Sequence, residues 1–168
     1  PLQSLRVERV EFGADEFGGA GIDAFVARRI VGETGRVIGV DMTPEMLERA
    51  RQNAAKLGYD NVEFRFGEIE ALPVDDAAID VVVSNCVLNL VPDKPHAVAE
   101  IARVLRPQGR LQIADIVLSK LPGLACRENP ALWAECVVGA TTEEEFLRML
   151  REAGLADATA NQGVWGGG

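Results

Sequence analysis

One histidine, His96, and three cysteines, Cys86, Cys126 and Cys136, are all that this 168-residue sequence has of those two residue types. An odd number of cysteines with no C-x-x-C pair excludes a disulfide framework and any zinc site legible from spacing. Reduced thiols in a reducing compartment fit better. Positive charge is also short: 17 Lys and Arg stand against 26 Asp and Glu, giving a net charge of −9 and a pI near 4.7. That balance excludes nucleic acid and anionic membrane as main partners. No apolar run approaches the ~20 residues that span a bilayer, and no signal-peptide pattern opens the chain. The expected location is therefore cytoplasmic. Internal repeats and low-complexity segments are absent apart from the terminal WGGG.

What is present is the balance of a folded protein, with 48% hydrophobic and 26% charged residues. The length suits one domain over 1–168 with a single substantial core. Hydrophobic periodicity alternates strand and helix. GRVIGVD (35–41) reads as a buried strand. The next segment, TPEMLERARQNAAKLG, reads as a helix capped by Thr43, with Pro44 in its first turn and Gly58 at its end. Met46, Ala50, Ala54 and Leu57 share one predicted face. NVEFRF (61–66) and IDVVVS (79–84) are strands. KPHAVAEIARVLRPQG is a second amphipathic helix with Val98, Ile101, Ala102 and Leu105 inward, and GRLQIADIVL (109–118) is a strand again. TTEEEFLRMLREAG (141–154) is a helix with a capping box at Thr142 and Glu145 and a stop at Gly154. This order predicts an α/β fold, a doubly wound and mostly parallel sheet of βαβ units. In such sheets ligands bind at the carboxyl ends of the strands, so the loops after 12, 41, 66, 84 and 117 carry the interest.

Glycines precede a helix in FGGAGIDAFVARR (17–29), whose apolar pattern is Ile22, Phe25, Val26 and Ile30. Such glycines allow a tight turn and close approach of backbone to a ligand. Asp41 follows Gly21 by 20 residues at the end of the next strand, where a carboxylate can accept both ribose hydroxyls. Loop and carboxylate together point to a nucleoside-containing ligand without choosing between NAD and S-adenosylmethionine. The segment before them, LRVERVEFGADE, alternates apolar and charged residues. A central strand buried on both faces would be apolar throughout.

GRVIGVDMTPEMLERAR, GEIEALP, SNCVLNLVPDKP, RVLRPQGRLQIADI and WAECVVGA together resemble the arsenite S-adenosylmethionine methyltransferases, from about residue 17 to 155. The first and fourth phrases occur in many class I methyltransferases. The pairing of SNCVLNL with WAECVVGA is far more specific, because it carries both substrate thiols of that family. The resemblance implies a Rossmann-like class I methyltransferase domain using S-adenosylmethionine. Gly19 and Gly21 would lie under the methionine part of the cofactor, and Asp41 would bind its ribose. Met42 would pack on the adenine, with Glu68, Ile69 and Asn85 completing the cofactor-binding set. Cys86 and Cys136 would hold trivalent arsenic as substrate. Trp133 reads as a packing anchor, though an aromatic beside Cys136 could also wall off the arsenic site. The departures from the family are also legible. Its pattern D-x-G-x-G-x-G begins here at Asp15, but Phe17 replaces the first glycine, and the chain is expected to be shortened at both ends. Cys126 matches no family position.

Thiolates are the natural ligands of soft As(III), by the rule that governs soft metals. Arsenic so bound keeps a lone pair that can attack a sulfonium methyl in line, which makes alignment, not proton removal, the protein's task. The expected function is methyl transfer to arsenite, for arsenic detoxification, with a thiol reductant and a possible homo-oligomer. Two rival readings follow from the same residues: a non-catalytic arsenic–thiolate-binding remnant, and a methyltransferase for a small organic acceptor in which the thiols are packing. NAD-dependent hydride transfer is a more distant rival, since no residue is suited to its acid or base.

Overall fold

The computed structural model describes residues 8–13, 20–119 and 139–160. Among the described residues five strands form one all-parallel sheet in the order β3-β2-β1-β4-β5. In chain order the elements are β1 (Glu8–Gly13), α1 (Ile22–Val31), β2 (Arg36–Asp41), α2 (Pro44–Leu57), β3 (Val62–Phe66), β4 (Ile79–Asn85), α3 (Lys94–Val104), β5 (Leu105–Ala114) and α4 (Glu143–Glu152). A short 3-10 turn, Leu88–Leu90, precedes α3. The predicted doubly wound α/β sheet is borne out. β1 takes the central place despite its charged pattern, with β2 on one side and β4 on the other. The direction of winding reverses there, which opens a crevice between the carboxyl ends of β1 and β4.

Two cores cover the two faces of the sheet. On one, Ala24 and Ala27 of α1 and Leu47, Ala50 and Ala54 of α2 pack with Val37 and Phe64. On the other, Val98, Ile101 and Val104 of α3 and Phe146 and Leu150 of α4 pack with Ile38, Val40, Ile79 and Val82. Val37 and Ile38 diverge to opposite faces because successive strand side chains alternate. The β3–β4 connection carries Ile69, Leu72 and Val74 into the second core. Glu100 of α3 holds it there by accepting the Leu72 N–H at 3.0 Å.

Four local expectations need correction. The buried face of α2 is Leu47, Ala50 and Ala54, while Leu57 is exposed at the last turn, beside the left-handed Gly58 that ends the helix. The Thr43 side chain makes no capping bond. α3 stops at Val104, and Leu105 is already extended (φ −71°, ψ 135°). Pro107 explains this early end, since proline drives the residue before it out of the helical region. β5 therefore runs 105–114, earlier than predicted, with a register shift against β4 between Ile79 and Val81. In α1 only alanines are buried, and Ile22, Val26 and Ile30 lie on the outer face. The capping of α4 is as expected, with Thr142 Oγ1 accepting the Glu145 N–H at 3.3 Å.

Gly39 shows how tightly the first core is closed. A Cβ built there would lie 2.6 Å from two ring carbons of Phe64, and that ring meets Phe25 edge-on at 6.0 Å. Gly39→Ala is expected to destabilise the domain by about 1–3 kcal/mol through overpacking, read as a lower urea midpoint at unchanged slope. A midpoint equal to the parent's would mean that the Phe64 ring can move aside.

Candidate active site

The register of the sheet brings the candidate residues level. Asp41 pairs with Phe66, Gly13 with Asn85, and Asn85 with Ala114, so the carboxyl ends of all five strands form one rim. Gly21 stands at this rim as the residue before α1, with φ 83°. A Cβ there would come within 2.9 Å of Phe64 and 3.1 Å of Phe25. Both the backbone angle and the space demand glycine. The N-terminus of α1, a partial positive charge, therefore opens next to the crevice. Gly19 lies outside the described residues, as do Asp15, Phe17, Cys126, Trp133 and Cys136.

Asp41 ends β2, and its Oδ1 accepts the Thr43 N–H at 2.7 Å. That bond fixes the carboxylate and leaves Oδ2 available to a hydroxyl. Met42 is 64% exposed and Phe66 60% exposed, and Asp41 and Phe66 are register partners. Two bare apolar side chains flanking a carboxylate form a surface suited to an adenine and its ribose. Phe66 escaped the sequence reading because it looked like the last core residue of a strand. Its place at the strand's carboxyl end was the available signal. Glu68 is exposed. Ile69 sends its side chain into the core at 6% exposure, so what it can offer a ligand is backbone. Glycine cradle, fixed carboxylate and apolar pair together fit S-adenosylmethionine, the group the resemblance implies.

Asn85 is exposed at the end of β4, and Cys86 follows it, half-buried. The Cys86 N–H donates to the Ala114 carbonyl at 2.9 Å. Its φ is +55°, the left-handed region that costs an ordinary side chain about 1–2 kcal/mol. Such strain collects at functional sites. A cysteine held this way at the switch point is an unusual choice for core filling.

Beneath it lies a polar set that the sequence reading missed. Both carboxylate oxygens of Asp115 are shut off from solvent, and no hydrogen bond to them reaches full geometry. The amides of Leu88 and Asn89 and the Lys94 ammonium face them. Burial pushes the Asp115 carboxyl up to about 6 against the pull of those groups, and burial lowers the Lys94 ammonium. Asn89 is buried and donates from Nδ2 to the Ile116 carbonyl at 2.9 Å. A polar residue inside the apolar run VLNLV was the signal for it. His96 is exposed, as expected. Among the described residues no cluster of three or more His, Cys, Asp or Glu could hold a metal ion, and no helix is long and apolar enough to cross a membrane.

Comparison with known proteins settles what kind of domain carries this rim. Residues 15–154 match the methyltransferase domain family. The chain belongs to that family. This methyltransferase domain is 49% identical over 137 residues to the arsenite methyltransferase of Halobacterium salinarum, a match covering 82% of this chain and 35% of that protein. It is 38% identical over 146 residues to the arsenite methyltransferase of Aquipseudomonas alcaligenes, covering 83% of this chain and 42% of the relative. Among solved structures, the arsenic (III) S-adenosylmethionine methyltransferase of Chlamydomonas reinhardtii matches with a TM-score of 0.77 and 40% identity, over 90% of this chain and 52% of that one. The likeness to arsenite methyltransferases read from the sequence is borne out. The domain spans about a third to a half of the length of these proteins.

Asp115 gives the site a pH signature. Below about pH 4 it is protonated in both folded and unfolded chains and contributes nothing to stability. Between about 4 and 6 the unfolded chain releases the proton first, so the folded state loses stability as pH rises, and above about 6 the whole penalty applies. Asp115→Asn removes this term. Its unfolding free energy should gain on the parent's between pH 4 and 7, by up to about 3 kcal/mol, in urea titrations at both ends of the range. A difference that does not change with pH would mean that the carboxyl titrates normally.

Proposed function

We propose that this domain transfers a methyl group from S-adenosylmethionine to trivalent arsenic held by the thiolates of Cys86 and Cys136. The observation that carries the reading is Cys86 itself, half-buried with φ +55° one residue beyond the carboxyl end of β4. It stands at the sheet's switch point, where Asn85 pairs with β1 and β5. Support comes from the relatives, which are named arsenite methyltransferases.

When bound, the cofactor supplies an electrophilic methyl on a sulfonium sulfur. Each residue then has a task. Asp41 would hold the ribose, its Oδ1 already accepting the Thr43 N–H. Met42 and Phe66 would shelter the adenine, and Glu68, Ile69 and Asn85 would complete the cofactor-binding set. Gly19 and Gly21 let the backbone approach the methionine part. Cys86 and Cys136 would bind soft As(III) as thiolates, which leaves arsenic its lone pair as the nucleophile. No base is needed, since the nucleophile carries no proton to remove, and the one histidine lies exposed on α3. Catalysis rests on alignment of arsenic, carbon and sulfur. The arsenical arrives as arsenite or a thiol conjugate, and a thiol reductant and a second copy of the chain are the further partners of this reading.

The test is calorimetric titration with S-adenosylmethionine alongside an arsenite methylation assay. Asp41→Ala should weaken cofactor binding by about tenfold or more, the loss of charge-assisted hydrogen bonds. Cys86→Ser should bind cofactor normally and methylate no arsenite. Cofactor binding and parent-level arsenite methylation that both survive Cys86→Ser would refute the thiol role. A folded parent that binds arsenite but no cofactor would leave only an arsenic-binding remnant.

A further inference from the structure

Residues 114–116, at the end of β5, engage the segment from Cys86 to Lys94 one after another. The Ala114 carbonyl accepts the Cys86 N–H, and the Ile116 carbonyl accepts Asn89 Nδ2, each at 2.9 Å. Between them the Asp115 carboxylate faces the amides of Leu88 and Asn89 and the Lys94 ammonium. Lys94 Nζ in turn donates to the Val91 carbonyl at 2.8 Å, which closes the far end of the turn. Leu88 and Asn89 are fully buried, so the turn cannot shift without opening the core.

Stability alone does not account for this arrangement. Burial of Leu88 and the 3-10 bonds already seat the turn. A carboxylate sealed from water, faced by two amides and an ammonium that fall short of full hydrogen-bond geometry, works against folding. So does a side chain at a left-handed φ, which Cys86 has at the other end of the same turn. Two unfavourable choices meet in one turn, and that turn carries the thiol. Places where a sequence breaks local rules are where function is to be sought.

We propose that Asp115 is a positioning residue for the Cys86 thiol. Through Leu88, Asn89 and Lys94 its carboxylate fixes the 86–90 turn, and so holds the sulfur in the orientation that receives a trivalent arsenical. It touches neither substrate nor cofactor. This inference rests on the reading of Cys86 as an arsenic ligand.

Asp115→Asn keeps the shape and removes the charge. Arsenite binding to the full chain is measured by equilibrium dialysis, and S-adenosylmethionine binding by calorimetry, with Cys86→Ser as reference. In Asp115→Asn, arsenite affinity is expected to fall by about tenfold or more, as for other residues that orient a ligand from behind, while cofactor affinity stays at the parent value. Asp115→Glu, which restores the charge, should recover part of the loss. Parent-level arsenite affinity in Asp115→Asn, with the affinity lost in Cys86→Ser, overturns the positioning role alone. Parent-level affinity in Cys86→Ser overturns the thiol reading and the positioning role with it. Should Asp115→Asn fail to fold by circular dichroism, Lys94→Met is measured in the same way. Loss of arsenite affinity with cofactor binding kept supports the role, and unchanged arsenite affinity overturns it.

Discussion

The candidate site depends on one pairing, that of β1 with β2 on one side and β4 on the other. Sequence-adjacent strands β1, β2 and β3 wind outward in one direction, and β4 must then pass back across them to reach the free edge of β1. That reversal is what separates the loops and leaves a crevice. It also sets Asp41, more than forty residues upstream, on the same rim as Cys86. Had β4 added beyond β3, the carboxylate and the thiol would still lie two strands apart, but with no reversal of winding between them there would be no crevice for a ligand to share.

Much of this was legible because parallel sheets buried on both faces leave strong marks in sequence. RVIGVD and IDVVVSN are near-continuous apolar runs, and helices between them carry their caps and stops. Less legible was how each helix turns its faces. In α1 the apolar pattern is Ile22, Phe25, Val26 and Ile30, yet the fully buried residues are Ala24 and Ala27, because two helices and the Phe64 ring crowd this face. The rule that large apolar residues face inward fails where the available depth is small. The end of α3 was misplaced for a different reason: the apolar pattern continues through Leu105 into the strand, and periodicity cannot mark a boundary that both elements satisfy.

The site divides in the same way. Gly21, Asp41 and Cys86 were singled out because each is a residue type suited to a task at a strand end or at the start of a helix. Asp115 and Lys94 were not, because their significance comes from burial alone, and Asn89 was passed over although it is polar within the apolar run VLNLV. A lone aspartate in QIADIV reads as a solvated position until the fold closes over both its oxygens. Phe66 fails in the opposite sense, an apolar residue that the pattern assigns to the core and the fold leaves 60% exposed. Both errors come from treating polarity as a guide to depth, which holds for most positions and breaks at binding surfaces.

The chemistry proposed here explains why the strained positions are where they are. A reaction that removes a proton needs a base of tuned pKa, and a fold can supply one by burying a histidine or carboxylate near the substrate. Methyl transfer to a thiol-bound arsenic removes none, so the whole demand falls on angle and distance along one line. Angle is set by backbone and not by titration. A left-handed cysteine at the end of the strand beside the switch point is a means of setting it, since φ at that residue sets the direction of the Cα–Cβ bond from which the sulfur extends. The strain at Cys86 has to be held by something, and the neighbouring strand provides it: the Ala114 carbonyl at its amide, and the buried carboxylate beneath its turn. On this view the acidic residue of the site serves geometry, and its raised pKa is a consequence of where it must sit.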